Sequence, residues 1–309
     1  MKIAAATDYI GSTGCPERPL RLLAEAGFTH LHWCHQWCTD FLYSQHEINA
    51  YKKMLKNFGL TLLDIHGSQG QEKCWYSELE YQRKAGVELV INRIEMMTEL
   101  EAEEGGALMM HFPVFHAWDK DNAAVIAATR KQLDIFKRTL DDLLPVLDMH
   151  GRKIALENMW GDNWDAMDEI LAEYPAQYIG ICYDSGHANS KSVGGKPFDM
   201  GYCQMDRLEK QKDRLEALHL HDNNGDGDQH QPPFYGNVDW ERLAKIIATS
   251  KSYTRPVSFE MTISNTPFLD KERQEKGEPQ TDEAVLAFLK DAHERCEKFG
   301  KMVEAVEAK

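Results

Sequence analysis

Residues 178–189 read Tyr-Ile-Gly-Ile-Cys-Tyr-Asp184-Ser-Gly-His187-Ala-Asn, an apolar run that ends in Asp-x-x-His. A carboxylate and an imidazole three residues apart, where a buried strand surfaces, can converge on a metal ion or on a substrate's oxygens. The same residues also make an ordinary turn. Other apolar runs end in a similar way: His66 after LLDI, His111 after ALMM, Glu157 after KIAL, His219 with His221 and Asp222 after LEAL, and Glu260 after PVSF. Two Glu, one Asp and several His make an oxygen- and nitrogen-rich set suited to Mn²⁺, Mg²⁺, Co²⁺ or Zn²⁺. The absence of cysteine from these positions argues against a structural zinc site.

Such residues act together only if the fold brings the strand ends to one place. Strand-like runs at 3–7, 28–33, 60–65, 107–110, 153–156, 178–183, 215–220 and 255–259 alternate with runs of helical spacing. The helical runs are 16–27, 44–59, 77–99, 122–149, 164–174, 205–214, 239–250 and 281–306, and Pro145 is expected to kink or divide the fourth. Continuous apolar strands between helices imply a parallel sheet. Eight such units close most economically into one α/β domain over residues 1–309, a single (β/α)8 TIM barrel, with an open doubly wound sheet as the alternative. In a barrel all the C-terminal strand ends meet at one mouth. The charged loop at 270–279 is expected to be exposed and mobile.

The chain has 309 residues, a formal net charge of -15 and a hydrophobic share of 42%. That balance fits a globular protein with a sizeable core, and it disfavours polyanions and anionic membranes as partners. Seven cysteines without a Cys-x-x-Cys pair do not suggest a disulfide framework. The opening MKIAAA is too short for a signal-peptide core, and no apolar run approaches the length of a membrane span. A reducing, cytoplasmic setting is expected, with no nucleic acid and no membrane as partner.

The ordered set Ala-Leu-Glu157-Asn158, Asp184-Ser-Gly-His187-Ala, His219-Leu-His221-Asp222-Asn223 and Ser-Phe-Glu260 resembles the xylose-isomerase-like barrels, which include sugar and sugar-phosphate isomerases and epimerases. The likeness spans nearly the whole chain. It implies that Glu157, Asp184, His219 and Glu260 are four ligands of one divalent metal ion, and that His187 hydrogen-bonds the substrate near its carbonyl. It also implies a homo-oligomer, since such proteins are commonly dimers or tetramers. The same superfamily holds a metal-dependent endonuclease for abasic DNA, and His66, His111, His187, Asp228 and His230 lie where that nuclease binds further metals. The loop 221–240 contains no Lys or Arg, which is unsuited to phosphates. Its Pro232-Pro233-Phe234-Tyr235-Gly236 departs from the Pro-Gly-x-Gly of sugar isomerases, so the pocket wall differs there.

Moving a proton beside a carbonyl needs a Lewis acid to hold the enediolate and carboxylates to carry the proton, so Glu157 and Glu260 are the expected proton carriers. The expected activity is isomerisation or epimerisation of a small-molecule sugar, a ketose. A keto-sugar or keto-inositol dehydratase or lyase would use the same parts. Strand alternation predicts that His221 points away from the metal beside His219 and that Asp222 supports the ligands from behind. His30, His32, Cys34, His35 and Cys38 have zinc-binding side chains but no recognised spacing, and pocket wall is their expected use. Trp33, Trp37, Trp75, Trp118, Trp160 and Trp164 lie near strand ends, where a ring could stack on a sugar or pack in the core.

Overall fold

The computed structural model describes residues 1–113, 121–161, 164–193, 195–251, 253 and 255–307. Helix ends follow from local chemistry. The helix α2 (Gln45–Phe58) starts from a capping box in which Ser44 and Glu47 satisfy each other's backbone N–H groups, and Gly59 ends it in the left-handed region at φ 68°. Its neighbour α1 (Glu17–Ala26) ends the same way on Gly27. The long α3 (Glu80–Glu99) and α4 (Ala123–His150) follow, and Asn122 caps the latter. Pro145 does not divide α4. A proline inside a helix, through the lost hydrogen bond and the clash of its ring, costs ~3 kcal/mol, whereas Leu140, Leu143 and Leu147 around it are fully buried and each contributes roughly 1.5–3 kcal/mol.

Between the helices run β1 (Ile3–Ala6), β2 (His30–Trp33), β3 (Thr61–His66), β4 (Ala107–His111), β5 (Lys153–Glu157), β6 (Ile179–Asp184), β7 (Leu215–His219) and β8 (Val257–Phe259). The remaining helices are α5 (Trp164–Glu173), α6 (Gln204–Gln211), α7 (Trp240–Ala248) and α8 (Asp282–Glu307). The strands form one eight-stranded parallel sheet in which β8 pairs with β1 and each strand with the next as far as β7. Leu220 closes it: its N–H donates to the Ser258 carbonyl at 3.1 Å, and its carbonyl accepts from the Glu260 N–H at 3.1 Å. This is a (β/α)8 TIM barrel. β8 is shorter than the apolar run suggests, and Pro256, which has no N–H to donate, precedes it.

The pleat sorts the strands into two layers. Leu108, Met110, Ile154, Leu156, Ile179, Ile181 and Leu218 face the helices in the main core, while Ala107, Met109, Ala155, Cys182 and Ala217 form a separate cluster inside the barrel. These small side chains are followed, two residues on, by His111, Glu157, Asp184 and His219. The register sets neighbours side by side: His111 opposite Glu157, Glu157 opposite Cys182, and Asp184 opposite His219. The barrel interior therefore carries a layer of ionisable groups on a floor of small apolar ones.

Two features outside the barrel were not legible as periodic runs. A short helix, Ser185–Asn189, leaves β6 with Asp184 as its cap, and a hairpin pairs Ser192–Val193 with Lys196–Pro197. The exposed loop at 270–279 contains a short helix, Lys271–Glu275, capped by Asp270. All seven cysteines are free thiols. Among the described residues no helix is long and apolar enough to cross a membrane.

Candidate metal centre at the barrel mouth

Glu157, Asp184, His219 and Glu260 come together at the C-terminal ends of β5, β6, β7 and β8. One ligand atom from each lies within 4.8 Å of the others, and all four residues are buried. His219 Nδ1 sits 3.2 Å from Glu157 Oε2 and 3.0 Å from Glu260 Oε2. Asp184 caps the short helix by accepting the His187 N–H at 2.6 Å, which fixes the carboxylate. Asn158 receives the Asp184 N–H on its side-chain oxygen at 2.8 Å and donates back to the Asp184 carbonyl at 3.0 Å.

Two further groups of donors flank this one. His66 and His111 approach Glu157 from β3 and β4, with His111 Nε2 3.7 Å from Glu157 Oε2. On the other side His187, His221, Asp228 and His230 converge. Asp228 is central there: its carboxylate lies 3.3 Å from His187 Nε2, 3.3 Å from His221 Nε2 and 2.9 Å from His230 Nε2. His187 spends its Nδ1–H on the Asn158 carbonyl at 2.9 Å. All nine residues expected at the site, His187 among them, are therefore assembled at one mouth.

The expectation for His221 is corrected. Its ring is fully buried, stacks on His230 at 4.1 Å, and places Nε2 3.1 Å from Asp184 Oδ1. Residues two apart on a strand share a face, so the pleat itself puts His221 on the side of His219, and the hydrogen bonding with β8 runs on through Leu220. Asp222 is corrected as well. Its carboxylate accepts from the backbone N–H groups of Asn223 and Val238 and from Trp240 Nε1, so it ties down the returning loop and does not face the ligands. The His30 to Cys38 group does not converge: His30 bonds Glu103 and His35 bonds Tyr43 and the Gly14 carbonyl. His32 reaches the site through His219, and Cys34 lies beside Glu260.

Asp8, which follows β1, was also missed, although the strand-end rule that singles out the others points to it. It lies with Cys34 beside Glu260, and burial and the Glu260 charge push its carboxyl up to about 6. Among the tryptophans, Trp37 packs on His66 at 4.5 Å and Trp160 on His187 at 5.3 Å. Trp33, Trp75 and Trp164 are core residues, and Trp118 lies outside the described residues.

Electrostatics separate the histidines into two kinds. Burial would lower His219, His187 and His230, but the facing carboxylates win and raise all three, His230 to about 10. His66 and His111 are lowered by burial and stay neutral, the form in which imidazole ligates. Burial also works against the charge on Glu157, Glu260 and Asp228, yet the neighbouring histidines hold all three well below the usual carboxylate range. Burial pushes the Cys182 thiol, beneath Glu157, well up.

Both Glu157 oxygens, Asp184 Oδ2, His219 Nδ1 and both His221 nitrogens are buried without a hydrogen-bond partner. Orphaned buried groups of this kind cost ~1–3 kcal/mol each, more when charged. Hard oxygen and imidazole donors that face one another and lack partners are the donor set of a divalent cation, so the residues fit such an ion. Beside His111 a cavity of about 330 Å³ opens, lined by Gln69, Tyr76, Gln132, Met159 and Trp160 among others. A larger one of about 560 Å³ lies behind Ser185 and Arg242 and contains none of these ligands.

Residues 20–292 match the xylose isomerase-like TIM barrel family. The chain belongs to that family. It is 28% identical over 263 residues to the uncharacterised protein y4fM of Sinorhizobium fredii, covering 78% of this chain and 79% of that one. In structure it is similar to an L-ribulose 3-epimerase, with a TM-score of 0.69 at 15% identity over 100% of this chain and 96% of the other. It is also similar to the 3-keto-D-glucoside 4-epimerase YcjR of E. coli, with a TM-score of 0.64 at 17% identity over 94% and 99% of the two chains. At these identities the likeness shows a shared fold.

Proposed function

We propose that this barrel is a divalent-metal-dependent sugar isomerase or epimerase acting on a ketose or related polyhydroxy carbonyl compound. The observation that carries the reading is the convergence of Glu157, Asp184, His219 and Glu260, with both glutamates within 3.2 Å of His219 Nδ1. Family membership and the structural likeness to an L-ribulose 3-epimerase and a 3-keto-D-glucoside 4-epimerase support it. Glu157, Asp184, His219 and Glu260 would hold the ion, which when bound supplies a Lewis acid for the negative charge that develops next to the reacting carbon. Manganese, magnesium, cobalt and zinc all suit this donor set.

The chain's own residues carry the proton. Glu157 and Glu260 are held as carboxylates by their histidine neighbours, so either can accept a proton from the carbon next to the carbonyl. If they face opposite sides of the sugar, one abstracts that proton and the other, after taking a proton from solvent, delivers it to the opposite face, which inverts the carbon. Delivery to the neighbouring carbon, with a proton passing between the two oxygens, interconverts ketose and aldose. His187, pinned through Nδ1 on the Asn158 carbonyl and with Nε2 3.3 Å from Asp228, would contact the substrate near its carbonyl. The substrate would be a small sugar, with neither nucleic acid nor membrane as partner.

The test is incubation of metal-loaded protein with a panel of ketoses and keto-polyols in D₂O, followed by NMR. Deuterium beside the carbonyl and an epimeric or aldose product is the expected result. A conjugated carbonyl product would reassign the site to a dehydratase or lyase, which loses a β-hydroxyl after the same abstraction. No exchange with any member would overturn the reading.

A second reading is favoured by the two flanking donor groups, which give the mouth the ligands for more than one ion: a multinuclear centre like that of the abasic-site endonuclease. The net charge of -15 and the cation-free loop 221–240 weigh against a polyanion. Cleavage of an abasic-site duplex by the metal-loaded protein, without ketose exchange, would select it.

A further inference from the structure

From the shared geometry of His219, His32 and Asp64 we infer that His32 and Asp64 are positioning residues that fix the ring and tautomer of His219, so that it presents Nδ1 to the metal site. This rests on the proposed metal-dependent function. His219 Nε2 lies 3.0 Å from His32 Nε2, and His32 Nδ1 lies 2.6 Å from Asp64 Oδ1. The three side chains are 1%, 0% and 2% exposed. They cross the barrel interior: His32 and Asp64 are register partners on β2 and β3, and His219 comes from β7 opposite.

The proton positions follow from what each group can do. A carboxylate accepts and does not donate, so His32 carries its proton on Nδ1, facing Asp64. The reverse arrangement would set two lone pairs against each other at 2.6 Å. With Nδ1 protonated, the His32 Nε2 lone pair is free to accept. The contact between the two Nε2 atoms needs one hydrogen, so His219 supplies it. That leaves His219 Nδ1 as the atom that faces Glu157 and Glu260. The same pattern holds whether Nδ1 bears a proton toward those carboxylates or gives its lone pair to an ion. The rings meet edge to face, 4.3 Å between centroids and 74° between planes, so the bond also fixes the His219 rotation. A ligating histidine whose second nitrogen is engaged in this way binds its metal about 10–100-fold more tightly than one left free.

The experiment compares metal-free full-length wild type with His32→Leu, His32→Gln and Asp64→Asn, by calorimetric titration with Mn²⁺ and by ¹H–¹⁵N NMR of the histidine rings. His32→Leu removes the acceptor and is expected to weaken Mn²⁺ binding about 10–100-fold. His32→Gln places a carbonyl oxygen near the former Nε2 and is expected to restore most of that loss, a rescue that a packing role would not give. In the wild type, with and without Zn²⁺, His219 Nε2 is expected to carry a proton. Unchanged Mn²⁺ affinity in folded His32→Leu, or an unprotonated His219 Nε2, would overturn the inference alone. If His32→Leu does not fold, the NMR result and Asp64→Asn decide it, with weakened Mn²⁺ binding expected for Asp64→Asn and unchanged binding against it. Wild type that binds no divalent ion would overturn both this inference and the proposed function.

Discussion

Asp184 and His221 stand 3.1 Å apart, carboxylate oxygen to Nε2, so the carboxylate at the end of β6 faces the second donor group as well as the first. Gly186 makes this approach feasible. A Cβ there would lie 1.8 Å from His221 Cε1. Gly186→Ala must therefore displace the imidazole.

If the second group binds an ion, Gly186→Ala should lower the Zn²⁺ stoichiometry measured by elemental analysis and leave the ion at Glu157, Asp184, His219 and Glu260 in place. Equal metal content in wild type and variant would show that His221 holds no ion.

Glu157→Gln and Glu260→Gln each remove a proton acceptor at nearly constant volume. Each should lower solvent deuterium incorporation into a ketose by at least about 10²-fold, the usual scale for a positioned acid or base. Because both residues are also proposed ligands, Mn²⁺ content is measured alongside, and rates are compared at saturating metal. Full exchange in both variants would remove them as proton carriers.

The barrel and the residues gathered at its mouth were legible for one reason: apolar runs that end in Glu, Asp or His announce both a strand and its chemically active end. Glu157, Asp184, His219 and Glu260 were found at the mouth in this way, together with His66 and His111, and only the family resemblance singled out those four as proposed ligands. His221 was readable too, since residues 219 and 221 are two apart and share a face, and the expectation that it turns away misapplied the alternation. The Ser185–Asn189 helix is too short to show a period, so Asp184 reads as a turn residue although it is a cap. The link from His219 to His32 joins residues 187 positions apart, and no local spacing encodes it.

The metal-free protein should lose stability as the pH rises from about 6.5 toward 10. His187, His219 and His230 have folded values above the unfolded value of about 6.5, with His230 at about 10. They bind protons more tightly when folded, so their contribution is fully present below about 6.5 and is lost as the pH rises through the folded values. Glu157, Glu260 and Asp228 are depressed, and their contribution is present above about 4 and is lost as the pH falls through their folded values. Urea unfolding of chelator-treated protein at pH 6, 8 and 10 measures this, and a flat profile would contradict it.

Metal binding should release protons, since an ion at His219 Nδ1 takes the place of the proton that faces Glu157 and Glu260. Mn²⁺ affinity should therefore fall as the pH is lowered from 8 to 6. Calorimetry in two buffers of different ionisation enthalpy counts the protons, and equal observed heats in both would mean that none leave.

Asp222→Ala separates support of the loop from support of the ligands. The Asp222 carboxylate is fully buried and accepts from Asn223 N at 2.9 Å, Val238 N at 3.1 Å and Trp240 Nε1 at 2.9 Å. Removing it leaves these donors without their acceptor, at ~1–3 kcal/mol for each that water does not reach. The expected loss of stability is therefore about 3–5 kcal/mol, read from urea unfolding. Mn²⁺ affinity of the folded variant should stay within a few-fold of wild type, because Asp222 holds the start of α7 and touches no ligand. A large loss of affinity with little loss of stability would instead make Asp222 a partner of the metal ligands.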